Sequence, residues 1–315
     1  MKILWICSAN QGLVENKIDY LRNKWSFLYE LKNQLELDES IIIEIFFITG
    51  KGIFGYLKSI NKFKNVINKE DFDLIHAFYG HAGLFANFQR KYNVVVTYLG
   101  SDINILKNRI ISQISYFLSD WNIFVSHKLS KKIVKVVKQY SILQFGINLN
   151  LFYPMTRKMA REKMGLDINK KYVLFSSSKD NPIKNYELAN RVIARLQGIE
   201  ILTLLKGYSR EEINLLINSA DVLLSTSLHE GSPQIIKEAM ACNIPIVATN
   251  VGDIDEVVSD TVGCYLTNFK EENIFNSLVE ALNFNKRTQG RERIMKFDIS
   301  KIAEEIKFIY KNNCA

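Results

Sequence analysis

The most informative segment of this 315-residue chain is residues 227–240, which read SLHEGSPQIIKEAM. The apolar residues before it predict a buried strand that ends near Ser225. A turn containing Gly231 follows, Ser232 is expected to cap a helix, and Pro233 suits the first helical position. Because the first N–H groups of a helix have no partner within it, this helix end predicts an anion site.

Two carboxylates flank the predicted helix end. Glu230 precedes the helix, and Glu238 lies about 7 Å beyond Pro233 at ~1.5 Å rise per residue. Carboxylates accept hydrogen bonds from hydroxyls. The pair therefore suits a ligand with hydroxyls on both sides of a pyrophosphate, as in a nucleotide sugar. The alternative is that Glu230 is an ordinary loop carboxylate and Glu238 a solvated helix residue.

Apolar strands alternate with helices along the whole chain. Strands are predicted at residues 2–7, 41–48, 73–76, 94–97, 122–125, 141–144, 172–176, 200–205, 221–224, 246–248 and 264–266. The clearest helices are predicted at residues 17–35, 83–91, 129–138, 186–196, 209–220 and 233–242. Such patterns are typical of parallel sheets covered on both faces. The pattern restarts after residues 145–165, which predicts an α/β protein of two doubly wound Rossmann-like domains facing across a cleft.

Composition excludes several other classes of protein. A length of 315 residues suggests two domains at about 150 residues each. No run approaches the ~20 apolar residues of a membrane span, and the apolar run at the N-terminus is too short for a secretory signal. The four cysteines lack CxxC spacing and a nearby histidine, which disfavours a disulfide scaffold or a zinc site and favours a reducing cytoplasm. Neither GxGxxG after the first strand nor GxxxxGK[ST] occurs, which counts against dinucleotide oxidoreductases and P-loop NTPases.

Positive charge is concentrated in the first half of the chain. Residues 1–150 carry 19 Lys/Arg against 12 Asp/Glu, a net +7, while the remainder carries 22 against 21. Within residues 51–64, four lysines (51, 58, 62 and 64) alternate with aromatic and aliphatic residues, which suits an anionic bilayer surface. The alternative is an amphipathic helix with its apolar side on the sheet. Nucleic acid would also suit a basic face, but no binding motif for it is present, so we expect none as a partner.

The segment at 227–240 resembles the E-x7-E motif of retaining glycosyltransferases of the GT-B fold, family 4. Glu230 and Glu238 are separated by seven residues, and residues 238–252 resemble the sequence that follows this motif in the family. Residues 145–154 resemble its interdomain segment, residues 182–185 its phosphate-lysine motif and residues 97–102 a turn of its acceptor domain. The resemblance implies an N-terminal acceptor domain at 1–150, a nucleotide-sugar donor domain at 151–297, and a last helix at 298–315 that returns to the first domain.

The resemblance also implies roles for individual residues. Glu230 would contact the transferred sugar, Glu238 the ribose and Lys184 the donor phosphates. The candidate catalytic residues are Glu230, Lys184 and His81. The candidate donor-binding residues are Glu238, Gly231, Ser232, Pro233, Lys179, Ser178, Gly207 and Gly12. The candidate acceptor-side residues are Gly100, Asp102 and His76, with core packing or a surface position as the alternative for both histidines.

The sequence departs from the family at three positions. Ser178 stands where the family has a second basic residue, with Lys179 adjacent. Leu99 replaces the histidine of the acceptor-domain turn, and either His76 or His81 would fill that space. Asn243 replaces a glycine at a helix end, where asparagine tolerates the left-handed backbone conformation.

The expected function is retaining transfer of a hexose-type sugar from a nucleotide diphosphate to a hydroxyl of a glycan or lipid-linked acceptor, in cell-surface polysaccharide or glycolipid synthesis. The enzyme would be cytoplasmic and peripheral on the inner face of the membrane. We expect no metal cofactor. The DxD triplets at 71–73 and 253–255 match a metal-binding pattern, but such triplets are common in proteins, and Asp253 is at the start of a helix, where an acidic residue is expected. The alternatives are a non-catalytic nucleotide-sugar-binding partner subunit and a nucleotide-sugar epimerase of the same fold.

Overall fold

The computed structural model describes residues 1–9, 12, 14–50, 52–133, 138–204 and 207–314. Several sequence predictions fall partly outside these ranges: the middle of the first loop, Lys51, the end of the helix at 129–138 and the end of the strand at 200–205. No helix in the described ranges is both long and apolar enough to cross a membrane. The chain divides into two compact units, residues 1–146 with 299–315 and residues 147–298.

The first unit contains a parallel sheet of six strands in the described ranges, ordered β2-β1-β3-β4-β5-β6. Its strands are β1 (Lys2–Ser8), β2 (Ile42–Ile48), β3 (Leu74–Phe78), β4 (Val94–Tyr98), β5 (Trp121–Phe124) and β6 (Tyr140–Ile142). Its helices are α1 (Lys17–Lys24), α2 (Ser26–Leu35), α3 (Gly52–Lys69), α4 (Gly80–Ala86), α5 (Ser101–Asn104), α6 (Leu106–Leu118), α7 (His127–Ile133) and, at the end of the chain, α15 (Ile299–Asn313). The strand order reverses between β1 and β3, which makes their carboxyl ends the switch point where such sheets bind ligands.

The second unit repeats this topology. Its parallel sheet has five strands among the described residues, ordered β11-β10-β9-β7-β8. Its strands are β7 (Lys171–Phe175), β8 (Ile199–Thr203), β9 (Val222–Ser225), β10 (Ile246–Thr249) and β11 (Cys264–Thr267). Its helices are α8 (Arg157–Met164), α9 (Tyr186–Ala194), α10 (Arg210–Ser219), α11 (Gln234–Ala241), α12 (Ile254–Val258), α13 (Glu271–Phe284) and α14 (Gly290–Ile294), with 3-10 turns at Pro182–Lys184 and Met295–Phe297. The order reverses between β7 and β9, so the switch point lies at their carboxyl ends.

The returning C-terminal helix is confirmed: α15 packs into the core of the first unit. Tyr310 on α15 is buried, and its hydroxyl accepts a hydrogen bond from Trp5 Nε1 at 2.9 Å. The same hydroxyl lies 2.6 Å from His76 Nδ1, and His76 Nε2 lies 2.7 Å from Thr97 Oγ1. Because the indole N–H can only donate, the tyrosine proton goes to Nδ1, and His76 is the neutral tautomer that donates from Nε2 to Thr97. This chain of bonds joins the end of the sequence to three strands of the first sheet.

Two predicted helices of the first unit differ from the structure. The helix predicted at 17–35 is broken at Trp25, whose backbone (φ −136°, ψ 50°) leaves the helical region and separates α1 from α2. The helix predicted at 83–91 starts at Gly80 instead, and there is no room for a Cβ at that position because it would lie 1.9 Å from Ser112 Oγ. This close approach explains why α4 packs directly on α6.

Helix α3 contains most of the predicted basic segment. Phe63 is buried and packs on Phe46 and Phe85, so part of the apolar side faces the sheet, as the alternative interpretation holds. Phe54 and Leu57 remain exposed on the same helix. Lys58, Lys62 and Lys64, called here the α3 lysines, are also exposed. The helix therefore has both a core-facing side and exposed apolar and basic groups.

Candidate functional site

The loops after β7 and β9 meet at the switch point of the second unit. Thr226, just after β9, donates its hydroxyl to the carbonyls of Lys184 and Asn185 at 2.9 and 3.0 Å. The N–H of Leu228 donates to the carbonyl of Ile183 at 2.8 Å. Asn185 has a left-handed backbone (φ 55°), which suits asparagine and turns the chain from Pro182–Lys184 into α9. These bonds hold the two loops in register.

This register brings Lys184 and Glu230 together. Lys184 Nζ lies 2.5 Å from Glu230 Oε1, and the two side chains are only 18% and 14% exposed. Both residues are candidates predicted from the sequence, 46 positions apart, and the structure places them in one ion pair. Solvent and salt screen the charges of a mostly buried pair less than those of a surface pair. A charged ligand that binds next to this pair therefore interacts strongly with both side chains.

A glycine fixes the backbone on the other side of Glu230. Gly252 has φ +61°, and a Cβ there would lie 2.7 Å from the Gly231 carbonyl oxygen and 3.0 Å from Glu230 Cβ. The loop after β10 therefore presses directly against the loop after β9. Thr249, at the end of β10, donates its hydroxyl to the carbonyl of Ser227 at 2.7 Å. Three successive strand ends thus determine where Glu230 lies.

The start of α11 differs from the prediction. The helix begins at Gln234, Pro233 is the cap residue, and Ser232 does not cap it. The Ser232 hydroxyl instead accepts a hydrogen bond from Lys237 Nζ at 2.7 Å. Lys237 is fully buried, and burial lowers its pKa to about 8. Burial likewise raises the pKa of nearby Asp253 to about 6, partly offset by the positive charge of Lys237.

Glu238 is buried and paired with a residue that the sequence analysis missed. Arg210 Nη2, at the first position of α10, lies 2.7 Å from Glu238 Oε1, while the side chains are 20% and 3% exposed. The N–H does not point at this oxygen, so the contact is an ion pair without a directed hydrogen bond. The Arg210 guanidinium also lies over the ring of Phe152, 4.7 Å from its centroid. A cation at a helix N-terminus is unfavourable because the helix dipole is positive there. The position of Arg210 at the start of a predicted helix is therefore the sequence feature that could have predicted a carboxylate partner for it.

The remaining donor-side candidates are Lys179, Ser178 and Gly207 in the second unit and Gly12 in the first. Lys179 is exposed, and its Nζ lies over the ring of Tyr186, 5.1 Å from the centroid. Ser178 is half-buried, and Gly207 is exposed with φ +105° in the turn before α10. Gly12 is exposed, with residues 11 and 13 on either side of it outside the described ranges.

Two acceptor-side candidates are structural. Asp102 is fully buried, and its carboxylate accepts hydrogen bonds from the N–H groups of Gly80, Leu99 and Gly100 at 2.7–3.1 Å. Burial raises the Asp102 pKa to about 6 in spite of these bonds. Gly100, with φ +139°, forms the turn that Asp102 holds. The carboxylate thus joins the turns after β3 and β4 and is not free for a ligand.

His76 agrees with the alternative given for it from the sequence, which is core packing. It is fully buried in β3, and both ring nitrogens are engaged by Tyr310 and Thr97. Burial lowers its pKa to about 3, so the ring stays neutral and in place. His81 is different: it lies in the first turn of α4, half-buried, and lines a cavity of the first unit. Burial lowers the His81 pKa as well.

No group of three or more His, Cys, Asp or Glu side chains is placed to hold a metal ion in the described part of the chain. Of the two DxD triplets, Asp71 is exposed and pairs with Lys91 at 2.7 Å, whereas Asp253 is buried next to Lys237.

Sequence families match both units. The family model described as "Glycosyl transferase 4-like" matches residues 2–133, and the one described as "Glycosyl transferases group 1" matches residues 170–283. A protein of Methanocaldococcus jannaschii, named as an uncharacterized glycosyltransferase, is 26% identical over 294 residues, which cover 83% of this chain and 81% of that protein. The chain is a glycosyltransferase.

Solved structures establish the fold of this glycosyltransferase. It is similar to sucrose-phosphate synthase of Thermosynechococcus elongatus, with a TM-score of 0.82 at 18% identity over 99% of this chain and 98% of that one. It is also similar to HepE of Anabaena in complex with UDP-glucose, with a TM-score of 0.71 at 18% identity over 99% and 100% of the two chains. The glycosyltransferase has the GT-B fold, with two Rossmann-like units, which confirms the expected fold class.

Proposed function

We propose that this glycosyltransferase transfers a hexose-type sugar from a nucleotide diphosphate to a hydroxyl of a glycan or lipid-linked acceptor, with retention of configuration, as an enzyme of family 4. The observation that carries the proposal is the mostly buried Lys184–Glu230 pair at the switch point of the second unit. The pair offers a cation for the donor phosphates and a carboxylate for the sugar hydroxyls. The HepE complex with UDP-glucose, on the same fold, favours a uridine nucleotide as the first donor to test.

The chemistry requires charge stabilisation more than proton transfer by the protein. As the bond between the sugar C1 and the phosphate oxygen breaks, negative charge develops on the departing diphosphate. Lys184, which is mostly buried, would stabilise that charge, helped by the first N–H groups of α11. The acceptor hydroxyl attacks C1 from the face that the diphosphate leaves, and a phosphate oxygen takes its proton. The nucleotide diphosphate is released and the configuration at C1 is kept.

Glu238 would bind the ribose hydroxyls, with Arg210 paired to its carboxylate. Since Lys184 and the helix end would supply the positive charge that a pyrophosphate needs, the proposal includes no metal ion. Activity should therefore survive dialysis against EDTA. Loss of activity there, restored by Mg²⁺ or Mn²⁺, would contradict this part of the proposal.

The proposal places the enzyme in the cytoplasm, on an anionic membrane surface, in the synthesis of a surface polysaccharide or glycolipid. The α3 lysines and the exposed Phe54 and Leu57 lie on one helix and support contact with anionic lipid. Helix α6 adds an exposed apolar row that the sequence analysis did not single out. That row comprises Leu106, Ile110, Ile114 and Phe117.

The test is release of nucleotide diphosphate from a panel of UDP-, GDP-, ADP- and TDP-sugars. We expect slow hydrolysis of one donor, and about 100-fold less with Lys184→Met, which removes ~3 kcal/mol of stabilisation of developing charge. The matched control is Lys170→Met, because Lys170 forms a 2.5 Å pair with Glu200 at an exposed position, 49% accessible on both sides. NMR of the transferred sugar would report the anomeric configuration. The proposal would be contradicted if no donor is hydrolysed, if both variants lose the same activity, or if the product has the inverted configuration.

A further inference from the structure

The first unit contains a cavity of about 750 Å³ at its own switch point. Ser8, the last residue of β1, and Tyr79, directly after β3, both line it. Helices α3, α4 and α6 supply most of the remaining wall. A cavity of this size is in the range that holds small molecules and cofactors. Its position is equivalent to that of the Lys184–Glu230 pair in the second unit, but its chemistry is different.

The lining is polar near the sheet and apolar farther along the helices. His81 lies in the first turn of α4, and its Nδ1 makes no hydrogen bond with any described residue. Beside it, the Tyr79 hydroxyl lies 3.2 Å from Ser101 Oγ and accepts from Asn108 Nδ2 at 3.1 Å. Phe88 lies two residues beyond Ala86, the last residue of α4, and so at the opposite end of this helix from His81. The apolar part of the lining comprises Leu57, Ile60, Leu84, Phe85, Phe88 and Ile111.

The apolar part of the cavity reaches solvent. Leu57 and Phe88 line the cavity and are nevertheless 56% and 72% exposed. Exposed apolar side chains at the rim of an apolar cavity mark a binding site for an apolar group rather than for a free sugar. The α3 lysines lie on the same helix as Leu57 and would attract an anionic phosphate or lipid surface.

The backbone at the polar end is strained in a way that positions Tyr79. Its φ of +92° is unusual for a residue with a side chain, and it is held by the hydrogen bond from its N–H to the Thr97 carbonyl at 2.9 Å. A strained backbone conformation persists only where surrounding contacts hold it in place, and such conformations are frequent at functional sites. Here it turns the Tyr79 ring toward His81, with the ring centroids 5.5 Å apart and nearly parallel.

We propose that this cavity binds an amphiphilic acceptor, with its hydrocarbon chain along α3 and α4 and its hydroxyl-bearing head at His81 and Tyr79. That the occupant is an acceptor rests on the proposed glycosyl transfer. That it is an amphiphile rests on the cavity alone. His81 in its neutral form accepts a hydrogen bond from the head hydroxyl at Nδ1, which positions that hydroxyl.

The experiment measures binding of glucose and of octyl, decyl and dodecyl β-glucosides, each below its micelle-forming concentration, by calorimetry without any donor. We expect no measurable binding of glucose and about a fourfold gain in affinity per added methylene, which corresponds to ~0.8 kcal/mol per buried CH₂. The double variant Leu57→Gln/Phe88→Gln should weaken dodecyl glucoside at least tenfold. Its matched control is Leu37→Gln/Phe308→Gln, two apolar residues of the same unit that are 73% and 69% exposed and do not line the cavity.

A second variant, Leu84→Trp, narrows the cavity from inside and should also weaken the longest chain most, with thermal unfolding showing that the fold is kept. UDP binding, measured in parallel, tests the donor site of the proposed function separately. Affinity that does not depend on chain length, or equal losses in the double variant and its control, would overturn the amphiphile proposal while UDP binding stays normal. If the wild-type protein binds the glucosides but does not bind UDP, the donor proposal is overturned instead.

Discussion

Replacing Glu238 by glutamine keeps the shape of the side chain and removes its charge. If Glu238 binds ribose hydroxyls, the variant loses charge-assisted hydrogen bonds and keeps weaker neutral ones. Hydrogen bonds to charged groups contribute ~1.5–3 kcal/mol, against about 1 kcal/mol for neutral ones. Each exchanged bond costs ~0.5–2 kcal/mol by this difference, so with two ribose hydroxyls bound the affinity for UDP should fall by about 1–4 kcal/mol, roughly 5- to 800-fold. Calorimetric titration with UDP measures this directly.

The structure adds a second consequence for the same variant. Arg210 lies 2.7 Å from Glu238 and is only 20% exposed, so Glu238→Gln removes the carboxylate that faces a partly buried cation. Because Arg210 retains some contact with water, we expect a loss of stability of ~1–2 kcal/mol, below the cost of breaking a fully buried pair. Urea denaturation measures this loss. Glu211→Gln is the matched control, since it removes an exposed carboxylate from the first turn of the same helix.

The double variant Glu238→Gln/Arg210→Gln separates the two effects. Removing both charges should restore stability, because the partly buried positive charge is removed together with its carboxylate, while UDP affinity stays low. Unchanged affinity in a folded Glu238→Gln protein would refute the ribose role. Recovery of wild-type affinity in the double variant would also refute it, because Glu238 would then serve only to neutralise Arg210.

Three further predictions concern the membrane surface, the C-terminal helix and pH. The protein should sediment with anionic vesicles at low salt, and high salt or replacement of the α3 lysines by glutamate should release it; absence of binding at low salt would favour an acceptor away from the membrane. Tyr310→Phe leaves buried groups of Trp5 and His76 unpaired, so urea denaturation should show a loss of ~2–4 kcal/mol, and a loss below about 1 kcal/mol would contradict the bond network. Asp253, with a folded pKa of about 6 against 3.8, binds its proton more tightly when folded, so its contribution to stability falls as pH rises from about 4 to 6. Asp253→Asn has no carboxyl to titrate, so its stability relative to the wild type should rise by ~1–3 kcal/mol between pH 4 and pH 6. A stability difference between the two proteins that stays constant over this range would contradict the prediction.

The strands could be predicted from sequence because buried parallel strands are short, nearly continuous apolar runs. Each predicted strand overlaps a strand of the structure, with ends that differ by no more than two residues in the described ranges. The break at Trp25 could not be predicted, since no glycine or proline marks it. Trp25 leaves the helix and lines the cavity of the first unit, so tertiary packing decides its conformation over local helix propensity.

The candidate site likewise has parts that could be predicted from the sequence and parts that could not. The Lys184–Glu230 pair follows from two motifs because both motifs end strands that are neighbours in the sheet. The role of Asp102 did not follow, because three backbone N–H groups from two different turns converge on it. His76 also depends on a distant residue, since its partner Tyr310 lies 234 positions later. Side-chain partners at such separations leave no periodic signal in the sequence.

The two units place chemically opposite groups at equivalent positions of one topology. In the second unit the strand ends carry a lysine, a carboxylate and the start of α11, which suit a polar, anionic ligand. In the first unit the same position is a cavity with an apolar wall, a neutral histidine and hydroxyl groups, which suits an uncharged hydroxyl on an apolar chain. A charged lining would bind a second anionic nucleotide as readily as the acceptor. Under the proposed function, the apolar lining of the first unit would select against the anionic donor, and a hydroxyl-bearing acceptor would bind there instead.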